Sequence, residues 1–236
     1  MQTIDVEQLN LSAGDWVLDL GCGEGRHMHA VHWSEMVHVV GVDLDRERLV
    51  EARDGFRELG ETDRETWYLG QSDALELPFR ADQFDTVICS EVLEHLPDYE
   101  SALEEIDRVL KPAGELAISV PRSGPERICW WLSEEYHQVA GGHVRIFDEG
   151  TLRNQIESTG FAFEGQEYRH ALHSPFWWLK CLFWDNEDDS RLIDLYNRFL
   201  EWDLTENPTW LRSLERNLLD PLFGKSSVMY FSRGND

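Results

Sequence analysis

The densest group of chemistry-bearing residues is Asp19-Leu20-Gly21-Cys22-Gly23-Glu24-Gly25, an acid followed by three alternating glycines. Glycines at a strand-to-helix turn let the backbone approach a ligand closely, because no Cβ intervenes. The first N–H groups of the next helix then point at whatever sits there. A second acid, Asp43, closes the apolar run Val37-His38-Val39-Val40-Gly41-Val42. An acid at the tip of a second strand can accept both ribose hydroxyls of an adenosine ligand. The alternative for it is a helix cap at Asp43 or Asp45. The glycine spacing is not the dinucleotide fingerprint G-x-G-x-x-G, because position 26 is Arg. Further along, Glu94 and His95 would stand at the mouth of such a site, and His143 follows two flexible glycines, Gly141 and Gly142. His143 is the best single candidate for contact with a second substrate. For these three the alternative is local capping or structural hydrogen bonding.

These residues need strands and helices to hold them. Trp16 to Leu20 reads as a buried parallel strand, and a helix follows from about Glu24 to Ser34. A charged helix is expected over 45 to 60, a polar loop over 61 to 66 and a short third strand at Trp67-Tyr68-Leu69. Phe84 to Cys89 is the fourth strand. Asp98 caps a helix with Ala102, Leu103, Ile106 and Val109 on one face. Lys111 to Glu115 reads as a tight turn into a fifth strand, Leu116 to Pro121. Asp148 caps a helix ending at Gly160, Phe161 opens the sixth strand, and Ser226 to Ser232 is the last. The acid run Asp185 to Asp189 caps a helix with a broad apolar face from Leu192 to Leu200.

The loop Asp19-Leu20-Gly21-Cys22-Gly23-Glu24-Gly25 resembles motif I of the class I S-adenosylmethionine (SAM)-dependent methyltransferases, particularly the small-molecule branch. The resemblance covers about 10 to 165, includes the Lys111-Pro112-Ala113-Gly114 turn and the His143-Val144-Arg145-Ile146-Phe147 stretch, and weakens from 170 to 225. It implies a doubly wound, Rossmann-like, seven-stranded and mostly parallel α/β sheet. Helical insertions would follow strand five, at about 122–142, and separate strands six and seven, at about 169–225. The whole of 1–236 would be one domain. SAM would be the methyl donor and S-adenosylhomocysteine the product. The resemblance places Gly21, Cys22 and Gly23 beside the methionine part of SAM, with Asp19 and the Cys89 carbonyl near its ammonium. Asp43 and Leu44 fall at the ribose, Asp73 at the adenine amino group, and the Ala74 N–H at a ring nitrogen. For Asp73 an Asx turn is the alternative. Glu94, His95, Trp131 and Tyr136 would contact the acceptor, and His143 would act in catalysis. The aromatic insertions, one carrying Trp130, Trp131, Tyr136 and His137, would exclude water, pack on the core, or pair two copies of the chain.

Bulk properties narrow the partners. The chain has 236 residues with 21 Lys+Arg against 46 Asp+Glu, a formal charge of −25. So acidic a surface repels phosphate backbones, so nucleic acid is not expected as a partner. The scarcity of lysine, found only at Lys111, Lys180 and Lys225, fits either salt adaptation or a merely acidic enzyme. Cys22, Cys89, Cys129 and Cys181 form no C-x-x-C pair, so neither a disulfide framework nor a metal is implied and a reducing cytoplasm is expected. No leader pattern is read at the start, and no apolar run reaches the roughly 18 residues of a spanning helix. The function expected is methyl transfer from SAM to a small-molecule acceptor. A catalytically silent SAM-binding or scaffold protein and an NAD-linked oxidoreductase remain the alternatives.

Overall fold

The near-continuous apolar runs of the sequence become strands covered on both faces, as parallel sheets require. The computed structural model describes residues 2–34, 36–60, 67–139, 141–184 and 190–234. Seven strands, β1 Trp16–Leu20, β2 His38–Asp43, β3 Trp67–Gln71, β4 Phe84–Ser90, β5 Leu110–Pro121, β6 Phe161–Arg169 and β7 Ser226–Arg233, form one sheet. Their order is β3-β2-β1-β4-β5-β7-β6, with β7 antiparallel to both neighbours and the other pairs parallel. This is the expected doubly wound sheet. Strand order reverses between β1 and β4, and ligands of such sheets bind outside the carboxyl ends at that point.

Alternation sends successive side chains to opposite faces. Val17, Val39, Ile88, Ala117 and Val228 pack on one side with Met28 and Val31 of α1 (Arg26–Ser34) and Leu49 and Phe56 of α2 (Arg46–Glu58). Leu18, Val40, Val87 and Ile118 pack on the other with Leu103 and Ile106 of α3 (Tyr99–Val109). The chain continues through α4 (Ser123–Leu132), α5 (Glu135–Gln138) and α6 (Glu149–Ser158), which adds Leu152 and Ile156 to that second layer. Asp98 and Asp148 cap their helices as expected, accepting from the Ser101 and Thr151 N–H groups at 3.2 and 2.9 Å.

Between β6 and β7 lie α7 (His173–Leu182), α8 (Arg191–Glu206), α9 (Thr209–Leu214) and α10 (Asp220–Phe223). Among the described residues no helix is long and apolar enough to cross a membrane. The expected cap at Asp185 to Asp189, like the loop expected over 61 to 66, lies outside the described residues. Ser190 stands at the N-cap of α8, its hydroxyl accepting from the Ile193 N–H at 3.5 Å.

One boundary differs. The expected turn at Lys111 to Glu115 is a bulge inside β5, where pairing jumps from Phe84–Leu110 to Thr86–Glu115. Lys111 Nζ reaches both Asp85 oxygens, at 2.8 and 2.7 Å, and Ala113 takes a left-handed φ of 60°. The strand therefore starts early and absorbs the turn.

Gly41 of β2 lies under α1. A Cβ there would stand 2.1 Å from Met28 Sδ and 3.0 Å from Cys22 Sγ. Overpacking of this kind costs about 1–3 kcal/mol. Gly41→Ala should therefore lower the urea midpoint without changing the slope, and an unchanged midpoint would show that α1 yields freely.

Candidate active site

At the reversal between β1 and β4 the glycine loop leaves the sheet. Gly21 has φ 70°, and a Cβ on it would stand 2.4 Å from Val92 Cγ2, so only glycine fits. A cavity of about 460 Å³ opens beside it, lined among others by Gly21, Asp43, Leu44, Asp73, Ala74 and His95. Each of the first three parallel strands thus hands an acidic or glycine-rich end to one space.

Asp43 does more than face that cavity. Its Oδ2 accepts from the Gly23 N–H and its Oδ1 from the Asp45 N–H, each at 2.8 Å. The carboxylate therefore ties the glycine loop to the start of α2, whose cap is Asp45. Each oxygen keeps a further lone pair for the cavity. Asp73 forms the Asx turn considered as an alternative, accepting the Leu75 N–H at 3.0 Å, and it also lines the cavity.

Other expected contacts lie behind this lining. Asp19 is 1% exposed and accepts the Met28 N–H at 3.2 Å. Burial, with the Asp43 charge adding to it against that hydrogen bond, pushes its carboxyl up to about 7. Cys22 and Cys89 are buried thiols, both pushed up by burial and by nearby carboxylates. Neither these two, nor Asp19 or Gly23, is part of the cavity wall.

A second cavity, of about 290 Å³, adjoins the first. Its walls include His95, Tyr136, His143, Trp177, Trp184 and Lys225. His95 and Gly141 belong to both cavities. The aromatic wall comes from both insertions at once. Cys129, Tyr136 and Cys181 form a small buried cluster with Trp130, Trp177, Trp178 and Trp184 around it. Trp178 Nε1 donates to the Pro125 carbonyl at 3.2 Å, joining α7 to α4.

His143 is gripped by an acid that no motif marks. Its Nδ1 lies 2.6 Å from Oε1 of Glu126, which is 2% exposed. Glu126 also accepts from Trp130 Nε1 at 3.0 Å and the Tyr136 hydroxyl at 3.3 Å. Burial acts to raise the Glu126 carboxyl, but the bond to and charge of His143, with Lys225 and Trp130, hold it below the ordinary range. An ionised Glu126 can only accept, so His143 Nδ1–H donates to it and Nε2 is the ring nitrogen left for another partner.

Trp131, expected at the acceptor, is 83% exposed and lines neither cavity. Glu126, Cys129 and Trp130 occupy the inward face of α4, and the next residue turns to solvent. Glu94 is fully buried and lines neither cavity. Burial, reinforced by the Glu91 charge, raises its carboxyl well above the ordinary range. His95 is lowered, by burial first and by the His143 charge second, against the pull of nearby carbonyls. Glu91 sits at a left-handed φ of 55°, held by a 3.0 Å bond from the Ser119 hydroxyl to its Oε1. Backbone strain of this kind concentrates at ligand clamps. Glu126 and Lys225 escaped sequence reading; an acid four residues before a tryptophan in an aromatic helix was the one signal for the former.

Known proteins resemble this chain in sequence and in fold. The family profile described as Methyltransferase domain matches residues 18–118. The demethylmenaquinone methyltransferase of Lactobacillus johnsonii is 35% identical over 66% of this chain and 71% of its own. The 27-O-demethylrifamycin SV methyltransferase of Amycolatopsis mediterranei is 34% identical over 72% of this chain and 62% of its own. The crystal structure of the [4+2]-cyclase SpnF is similar in fold, with a TM-score of 0.64 at 20% identity, over 98% of this chain and 79% of that one. The chain spans 40% to 62% of the length of four of the curated relatives it matches. With its glycine loop, its strand-tip acids and its seven-stranded sheet, the chain belongs to the class I SAM-dependent methyltransferases.

Proposed function

We propose that this chain transfers a methyl group from SAM to a small, partly apolar acceptor. The observation that carries the reading is the partition. One cavity is lined by Gly21, Asp43 and Asp73, the other by aromatic rings and His143, and His95 and Gly141 belong to both. The first suits an adenosine ligand: the Gly21 site admits no Cβ, and Asp43 offers free lone pairs beside the loop. In this reading Asp43 holds the ribose hydroxyls, with Leu44 alongside. Asp73 and the Ala74 N–H hold the adenine, while Gly21, Cys22 and Gly23 back the methionine part. Asp19 and the Cys89 carbonyl stabilise the ammonium from beneath.

When bound, SAM supplies a methyl group on an electrophilic sulfonium. The chain aligns the acceptor and keeps water out, as a charge-dispersing transfer requires. Tyr136, Trp177 and Trp184 form the apolar wall, and His143 serves the acceptor with its tautomer set by Glu126. His143→Ala should lower turnover about a hundredfold, a size typical of a lost proton-handling or positioning group, with SAM affinity kept. Unchanged turnover would remove His143 from the site.

The test of the whole reading is calorimetric titration with SAM and S-adenosylhomocysteine, followed by a screen of small hydroxylated metabolites with methyl-labelled SAM. Micromolar binding with label transfer supports it. Binding without transfer to any acceptor returns the silent-binder alternative, and no binding overturns the reading.

A further inference from the structure

We propose that Glu94, His95 and His143 bind a divalent transition-series cation at the partition between the two cavities, where it holds the acceptor's oxygen. The second half of this rests on the methyl-transfer reading; the binding site itself does not. Sequence spacing gives no hint of it, because Glu94-His95 follows β4 and His143 lies in a loop beyond α5. The fold brings one ligand atom from each residue to within 4.8 Å of the others.

Three features make this more than a chance cluster. Glu94 is 0% exposed, yet neither of its oxygens has a hydrogen-bond partner among the described residues. A buried carboxyl left without partners is costly. His95 Nε2 lies 3.9 Å from its Oε1. That gap is too long for a hydrogen bond and suits an intervening ion.

Second, both histidines are tethered through Nδ1. His95 Nδ1 faces the Gly142 carbonyl at 3.3 Å, and His143 Nδ1 faces Glu126 at 2.6 Å. A ring whose Nδ1–H is given to a carbonyl or carboxylate presents its Nε2 lone pair outward, which is how metal-ligating histidines are oriented. The two rings stand edge to face, with centroids 4.9 Å apart.

Third, the local charge attracts a cation. Glu91 lines the first cavity and Glu126 grips His143 at 2.6 Å, against one lysine, Lys225, in the wall of the second. Two imidazoles and one carboxylate, with further positions open, suit zinc, manganese, cobalt or iron better than magnesium. Three protein ligands with an open position mark a catalytic rather than a structural site.

The position gives the ion its use. His95 faces both cavities, so an ion on it can meet a hydroxyl of the acceptor beside the methyl donor. A cation lowers the pKa of a bound hydroxyl. The hydroxyl proton leaves to bulk solvent as the acceptor docks on the ion, before water is excluded, and the oxygen then forms its bond to the methyl carbon. The carbon–sulfur bond breaks with its electron pair passing to sulfur, and no electron carrier is needed.

The test uses the full chain, stripped with chelator and dialysed against Co²⁺, Mn²⁺ or Mg²⁺. The readouts are metal content and the visible absorption of Co²⁺, with SAM titrated into the same preparations. One Co²⁺ per chain is expected, bound at least tenfold more tightly than Mg²⁺. Glu94→Gln and His95→Ala should each weaken it about a hundredfold, and Glu126→Gln by about 10–100-fold, the size of a lost outer partner. His38→Ala, on a remote strand, should leave it unchanged. Wild type that binds SAM but no Co²⁺ overturns the inference alone, as does Co²⁺ binding that survives both ligand variants. Failure of SAM to bind while Co²⁺ binds overturns the function reading and leaves the metal site standing.

Discussion

Asp43→Ala is expected to weaken SAM binding by roughly a hundredfold or more. If Asp43 holds the ribose as proposed, two hydroxyl-to-carboxylate hydrogen bonds are lost, each worth about 1.5–3 kcal/mol, and each 1.4 kcal/mol is about tenfold. The variant also frees the Gly23 and Asp45 N–H groups that the carboxylate now holds at 2.8 Å. Two losses therefore superimpose: direct contact, and the shape of the loop. Asp45 is exposed, where water can replace the acceptor, but Gly23 is buried and its freed N–H costs about 1–3 kcal/mol, so the unliganded melting temperature should also fall, by roughly 2–12 °C. The rise in melting temperature with SAM should disappear. If calorimetry finds wild-type affinity, Asp43 is a helix-start tether and nothing more.

Asp19→Asn should stabilise the unliganded protein, and by more as the pH rises. The folded carboxyl is raised from 3.8 to about 7, chiefly by burial. Below pH 3.8 both folded and unfolded chains carry the proton and there is no effect. Between 3.8 and about 7 the unfolded chain has lost the proton while the folded chain keeps it, so wild-type stability falls with rising pH. Above about 7 both are ionised and the full cost stands, on the order of 4 kcal/mol. Asparagine never ionises. The gap between variant and wild type should therefore widen by a few kcal/mol from pH 5 to pH 8 in urea titrations. A constant gap would show that Asp19 ionises in the folded chain at its ordinary pKa. On the proposed placement of the SAM ammonium above Asp19, SAM should narrow the gap at pH 8 by giving the buried carboxylate a counter-charge. The variant would then be more stable and bind SAM less well, a common trade at functional sites.

What could be read from the sequence follows from how local each feature is. The glycine loop and Asp43 announce themselves because strand, turn and helix signals lie within one short segment. Asp98 and Asp148 were readable as caps for the same reason. Glu126 and His143 are 17 apart and meet only because the loop after α5 folds back onto α4. Trp130 and Trp131 are equivalent by composition, and only the orientation of α4 decides that the first packs inward. The two insertions read as separate, yet Tyr136 of one and Trp177 of the other line a single cavity, because the start of β7 at Ser226 pairs with both Pro121 and Arg169, the strand ends from which the insertions leave.

The position of β7 also bears on how the chain assembles. It is the last strand in sequence, yet it fills the slot between β5 and β6, with α7 to α10 separating it from β6. Antiparallel neighbours are usually joined by a short hairpin that closes in microseconds. Here the segment to be closed carries α7 to α10, so its closure entropy is larger and the contact is formed late. During synthesis the glycine loop and β1 to β5 leave the ribosome well before β7 does. Until it arrives, one edge of β5 stays open to pairing with other chains, and that edge is where aggregation of a nascent or truncated chain would begin.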